Sequence, residues 1–194
     1  PEQTPIFLLG FPRSGTTLLD TMLMADPSVR VLEEEAFIGQ IEDGLGGITA
    51  LPNLTTAQLA KARMDYFSKV EDKTGPLNGL QIVDKHPMHL NKVPVIRRLF
   101  PEAKFVLALR HPADVVLSCF LTNFRINNAM ANFLRLEDAA ELYELSFTHW
   151  EKARTLFELP VGTVVYERLV KDKDCELRPL FDWLGLQWPG EQFD

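Results

Sequence analysis

Short apolar runs alternate with longer amphipathic stretches along this chain. The runs Ile6–Leu9, Val29–Leu32, Leu80–Val83, Lys104–Leu109 and Thr163–Tyr166 are bounded by turn-forming or charged residues. They are predicted to be strands of a sheet covered on both faces, because little along them alternates with polar residues. Between them, apolar positions recur at helical spacing. The predicted helices are Gly15 to Ala25, Glu33 to about Glu42, Leu90 to Leu99, Pro112 to Phe124 and a long one from Glu137 to Leu159. A last helix, from about Glu176 to Leu184, stops at Gly185, and Pro27, Pro101 and Pro160 mark breaks between elements. The pattern predicts an α/β protein in three layers, with a central parallel sheet of about five strands and helices on both faces.

One stretch falls outside this alternation. From about Gln40 to Pro76 the chain carries the glycine-rich Gly44-Leu-Gly-Gly47, then Asn53-Leu-Thr-Thr56 as a helix cap, then an amphipathic run from Ala57 to Val70. This helical insertion between two strands is expected over the strand C-terminal ends, where α/β folds bind ligands. There it would serve as a lid or acceptor-recognition surface, or merely as a helical spacer.

At 194 residues the chain is expected to form a single domain, residues 1–194, with a substantial core. The net charge of −7 and the lack of a Lys/Arg block argue against general nucleic-acid binding. No apolar run approaches the ~20 residues that span a bilayer. No signal peptide is recognisable, although the chain opens at Pro1 without Met, which is compatible with a removed upstream segment. Cys119 and Cys175 form no metal or redox spacing and read as free thiols in a reducing compartment, hence a cytoplasmic location, with Golgi lumen or secretion as the alternative. The sequon at Asn53 matters only in the secreted case.

The chemistry concentrates at predicted strand C-termini. After the first strand, Gly10-Phe-Pro-Arg-Ser-Gly15 leads into a helix. Strand, glycine-bounded loop and helix form a P-loop-type arrangement, in which backbone N–H groups and the helix N-terminus converge on an anion. A nucleoside triphosphate site places Lys after the second glycine. Here that position is Thr16, and the positive charge sits in the loop as Arg13. The site therefore suits a phosphate-like group other than the γ-phosphate of a nucleoside triphosphate.

Three further groups share that edge. Glu33-Glu-Glu35 follows the second strand, either as dipole-stabilising carboxylates opening a helix or as a source of a general base. Asp84-Lys85-His86-Pro87 follows the third, where Lys85 can neutralise charge on a leaving oxygen and His86 can act as acid or base, unless both merely end a solvated strand. Arg110 ends the fourth strand and Ser118 lies two helical turns beyond it, so the two can share a second phosphate. Asp114 reads as a first-turn helix residue, and His89 and His111 as surface histidines.

Pro12-Arg-Ser-Gly-Thr-Thr17 resembles the 5′-phosphosulfate loop of sulfotransferases that use 3′-phosphoadenosine 5′-phosphosulfate (PAPS), and the spacing Arg110…Ser118 resembles their 3′-phosphate motif. Val164-Val-Tyr-Glu-Arg-Leu-Val170 and the helix end Arg178-Pro-Leu-Phe-Asp-Trp-Leu-Gly-Leu186 are similar to that family's sheet-terminal strand and helix. The branch that the chain resembles is that of tyrosylprotein sulfotransferases and bacterial enzymes fused to tetratricopeptide repeats. Phe124-Arg-Ile-Asn-Asn-Ala-Met-Ala-Asn-Phe133 and Tyr143…His149-Trp150 are similar to the bacterial group.

The resemblance implies that Arg13, Ser14, Gly15, Thr16 and Thr17 hold the 5′-phosphosulfate, that Arg110 and Ser118 hold the 3′-phosphate, and that Tyr166 lies near the adenine. It places Glu34 as general base and Lys85 as catalytic lysine, with His86 as the alternative base. It implies sulfuryl transfer from PAPS to a hydroxyl of a peptide tyrosine, a carbohydrate or a small molecule, with no metal and with 3′-phosphoadenosine 5′-phosphate as product. The family usually continues past Trp188-Pro189 into a segment that closes over the nucleotide, so a truncated C-terminus is expected. A P-loop phosphotransferase and a non-catalytic nucleotide-binding domain of the same fold are the competing readings. Acceptor selection is expected in Gln40–Pro76 and Phe124–Arg135.

Overall fold

A computed structural model describes residues 4–125 and 127–190. Its centre is a five-stranded, all-parallel sheet of strands β1 (Ile6–Gly10), β2 (Val29–Glu33), β3 (Gln81–Lys85), β4 (Phe105–Leu109) and β5 (Val161–Val165), in the order β2-β3-β1-β4-β5. β1 is central and buried along its whole length, pairing with β3 and β4. This is why its sequence is an unbroken apolar run.

Helices α1 (Thr16–Leu23), α7 (Tyr166–Leu169) and α8 (Lys173–Leu184) cover one face. There Leu19, Leu23, Leu169, Leu177 and Phe181 pack on Ile6, Leu8 and Val106. Helices α2 (Phe37–Gly44), α3 (Thr56–Thr74), α4 (Val93–Leu99), α5 (Pro112–Leu121) and α6 (Leu136–Phe157) bury the opposite face around Phe7, Leu9, Phe105 and Trp150. The α/β architecture with helices on both faces is therefore as the alternation predicts. Among the described residues, no helix is long and apolar enough to cross a membrane.

Several boundaries move for physical reasons. β3 continues to Lys85, because Asp84 and Lys85 find buried partners on opposite faces. β5 ends at Val165, and Tyr166 opens α7 instead of closing the strand. The helix expected from Glu33 starts only at Phe37, since Glu33 completes β2 and Glu34 has a left-handed backbone, φ 52°. The helix expected from Leu90 divides into a 3-10 turn, Pro87–Asn91, and α4.

The segment 40–76 also departs from expectation. Thr55 and Gln58 form a reciprocal capping box that starts α3. Leu59, Ala62, Tyr66 and Val70 then point into the main core, with Tyr66 and Phe67 edge-on to Phe100. α3 is thus a layer of the fold packed beside α2, α4 and β2, not a cover over the strand ends.

Candidate active site

A cavity of about 430 Å³ opens at the C-terminal edge of the sheet, lined by Arg13, Gly15, Thr16, Thr17, Arg110 and Tyr166, with Glu34 and His86 also in its wall. Such a position follows from the winding: α1 leaves β1 toward one face, while the connections after β3 and β4 go to the other.

The loop between β1 and α1 is held by close approach. A Cβ on Gly10 would lie 2.5 Å from the Ser14 hydroxyl and 2.7 Å from the Ala108 carbonyl oxygen. Gly15 has φ 95°, and a Cβ there would lie 2.7 Å from the Tyr166 ring, so only glycine fits both the backbone and the space. Arg13 takes φ 71°, which costs a non-glycine residue ~1–2 kcal/mol. Its side chain is tied down by Nε donating to Ser118 Oγ at 3.1 Å, and its carbonyl accepts from Arg110 at 3.4 Å. The Cys119 thiol also bonds to the Pro12 carbonyl, and burial pushes that thiol up to about 12, which leaves it protonated and inert.

Arg110 lies over the Tyr166 ring, 4.7 Å from its centre. Arg110 and Ser118 are thus drawn to the same place, with Arg13 as the bridge. Asp114 is an exposed first-turn residue of α5, within 3.9 Å of Arg110, and His111 is exposed. α1 begins without a side-chain cap and without an acidic residue in its first turn. Its first backbone N–H groups face the cavity with no helical partner. Ser14 Oγ and Arg110 Nε are buried and make no hydrogen bond among the described residues. Donors left open in a closed protein cost free energy that an anionic ligand recovers.

Glu34 and Lys85 meet on the other side. Lys85 Nζ lies 3.0 Å from Glu34 Oε1 and 3.3 Å from Asp20 Oδ2, and Lys85 is only 2% exposed. Burial works against its ammonium, but the hydrogen bond and charge of Glu34, joined by Asp20, outweigh it and hold the pKa above the ordinary value. Burial raises the Asp20 carboxyl, and Lys85 offsets this only in part. One cation between two carboxylates explains both directions. Lys85 itself is not part of the cavity wall, while Glu34 is. The dipole reading of Glu33–Glu35 fails because no helix starts there: Glu34 bonds through its N–H to the Lys85 carbonyl at 2.7 Å, and Glu35 pairs with Lys73.

His86 is not a loose strand-end residue. Its Nδ1 accepts the Met88 N–H at 3.2 Å and so caps the 3-10 turn. Its ring stacks on His89 with centroids 4.9 Å apart. His89, expected at the surface, is buried, with Nε2 at 3.0 Å from Asp84 Oδ1. Tyr66 donates to the other Asp84 oxygen at 2.8 Å. Asp84 is wholly buried and accepts from both.

Asp20 and Tyr66 escaped the sequence reading. For Asp20 a signal existed: an acidic residue between Leu19 and Leu23, on the face of α1 that must be buried. For Tyr66 none did, since an aromatic residue on an amphipathic helix is ordinarily core. Ile126, inside the Phe124–Phe133 stretch, lies outside the described residues.

A family model described as "Sulfotransferase family" matches residues 5–190. The chain is 29% identical over 204 residues to protein-tyrosine sulfotransferase 2 of Gallus gallus, covering 96% of this chain and 52% of that one. It is 29% identical over 207 residues to protein-tyrosine sulfotransferase 1 of Danio rerio, covering 94% and 53%. It therefore spans about half the length of these two curated relatives. A solved sulfotransferase from Mycobacterium avium superposes with a TM-score of 0.65 at 15% identity, covering 98% of this chain and 66% of that one, a likeness of fold. This chain belongs to the sulfotransferase family.

Proposed function

We propose that this sulfotransferase-family chain carries the PAPS and acceptor site of an enzyme that moves a sulfuryl group to an acceptor hydroxyl. The observation that carries the reading is the cavity itself. One wall presents Arg13, Gly15, Thr16, Thr17, Arg110 and Tyr166, with unpartnered donors at Ser14 and Arg110, and the facing wall presents Glu34 and His86.

When bound, PAPS supplies the activated sulfuryl group on a phosphate oxygen. Arg13, Ser14, Gly15, Thr16 and Thr17 hold the 5′ end through side chains and loop N–H groups. Arg110 and Ser118 take the 3′-phosphate, and Tyr166, already stacked on Arg110, offers its ring to the base. Arg13 and the loop N–H groups stabilise charge building on the leaving oxygen, the part a divalent ion plays in nucleotide phosphotransfer. Glu34 accepts the proton of the attacking hydroxyl. Lys85 holds that carboxylate in place from beneath, so its role here runs through Glu34 in place of direct contact with the leaving oxygen.

Pro87, Met88, Phe124 and Met130 close the cavity with an apolar surface. That surface suits a phenol or apolar alcohol, a peptide tyrosine included, better than a carbohydrate. Phe124, Asn127 and Met130 line the cavity and no residue of 40–76 does, which supports acceptor selection by that connection.

Calorimetric titration with 3′-phosphoadenosine 5′-phosphate, against ATP with Mg²⁺, tests the site. The expected result is micromolar binding of the former, lost in Arg13→Ala and Arg110→Ala. Binding of ATP alone would replace this reading with a phosphotransferase.

A further inference from the structure

The Tyr66–Asp84–His89 network ends on His86, and nothing in the transfer mechanism above uses it. The geometry points to a role: we infer that His86 is a neutral hydrogen-bond donor, through Nε2, to an oxygen of the sulfuryl group, with Tyr66, Asp84 and His89 as positioning residues behind it. The inference rests on the sulfotransferase reading of the cavity.

The tautomer is the first step. Met88 N–H points at His86 Nδ1, so Nδ1 carries a lone pair. A neutral imidazole has one proton, which must then sit on Nε2. Nε2 has no hydrogen-bond partner among the described residues, and His86 lines the cavity beside Glu34. To act as a base through Nε2 the ring would have to place its proton on Nδ1. That loses the Met88 hydrogen bond and sets two N–H groups against each other. The ring is therefore built to donate, and the acceptor's proton goes to Glu34.

The network fixes the ring plane. Asp84 has both oxygens engaged, by Tyr66 at 2.8 Å and by His89 at 3.0 Å. Acceptance from Tyr66 and His89 requires His89 to donate from Nε2, which locks its ring. The His86 ring lies on the locked ring at an interplanar angle of 26°. Burial and the neighbouring His89 and Lys85 disfavour a charge on His86, and Asp84 and Glu34 only partly oppose them, so its pKa falls to about 4. Arg13 and Arg110, in the same cavity, oppose a second positive charge further. Across pH 5–8 the ring is neutral and the donor is always present.

The test begins without nucleotide. Long-range ¹H–¹⁵N spectra of the histidine-labelled chain between pH 5 and 8 are expected to show His86 as the Nε2–H tautomer with no titration. An Nδ1–H tautomer, or titration near the ordinary histidine range, overturns the inference. This readout does not depend on PAPS, so it separates the donor claim from the sulfotransferase reading, which fails instead if 3′-phosphoadenosine 5′-phosphate does not bind.

In the active protein, His86→Gln keeps an N–H donor near the Nε2 position and is expected to retain most of kcat. His86→Asn preserves an acceptor for Met88 but lacks that donor, and kcat is expected to fall ~10²-fold with KM little changed. Equal loss in both variants sinks the donor role. Tyr66→Phe keeps the buried ring and removes one hydrogen bond. A several-fold loss in kcat at constant KM marks it as positioning, and a loss of stability alone marks it as merely structural.

Discussion

The two sides of the cavity are built on opposite electrostatic plans. The side carried by β1, β4 and β5 keeps its donors open: Arg110 Nε and Ser14 Oγ are buried without partners, and α1 begins uncapped. The side carried by β2 and β3 pairs its own charges. Lys85 lies between Glu34 and Asp20, and Asp84 between Tyr66 and His89. Open donors suit an anion from outside, whereas closed networks hold their groups in one orientation. Substitutions on the first side should therefore act on ligand and rate, and those on the second on the fold as well.

The largest expected effect lies in the closed side. Lys85→Met leaves the Asp20 carboxylate buried without its cation, and denaturant unfolding should show a loss of ~3–5 kcal/mol. Adding Asp20→Asn should recover part of it. If the single variant unfolds like the parent, the pair is not the support described here. On the open side, Arg13→Ala should leave the unfolding midpoint nearly unchanged and lower kcat by ~10²–10³. Arg110→Ala should act mainly on nucleotide affinity, by ~1.5–3 kcal/mol for a charged hydrogen-bonding group, read by calorimetry. A change in kcat alone would separate Arg110 from the 3′-phosphate.

Smaller effects sharpen the same contrast. Glu34 pays for its position with a left-handed backbone. Glu34→Gly should be more stable than Glu34→Ala by ~1–2 kcal/mol, although both lose the proposed base. Equal stabilities would mean that the surrounding loop relaxes. The pH dependence is the mildest. His86 has a folded pKa of about 4 against an ordinary 6.5. The unfolded chain thus binds the proton first, and stability is full above 6.5 and falls as pH drops toward 4. His86→Gln should flatten that slope in urea titrations run at successive pH values.

The phosphate-type loop and Arg110 were legible because each is set by neighbours in sequence: an apolar strand, turn residues at fixed offsets, then a helix. The surroundings of His89 were not legible. A histidine two residues after a proline carries no mark of burial. Its place depends on Asp84 pointing to the face that α3 covers, with Tyr66 arriving from 18 residues earlier. Likewise 40–76 could be read equally as a lid or as a helical spacer, because its periodicity reports only that one face is apolar, not which surface receives it.

By itself the sequence determined the alternation of strands and helices and the order of the motifs, since hydrophobic period and turn chemistry act over a few residues. The tertiary structure alone decided which charges are buried together. Lys85 meets Glu34 across 51 residues, and Arg13 meets Ser118 across 105. It also set the tautomer and neutrality of His86, by placing a backbone N–H on one ring nitrogen and a locked imidazole on its face. A buried charge is tolerated only where its partner arrives, and that arrival is a property of the packed sheet, not of any local run of residues.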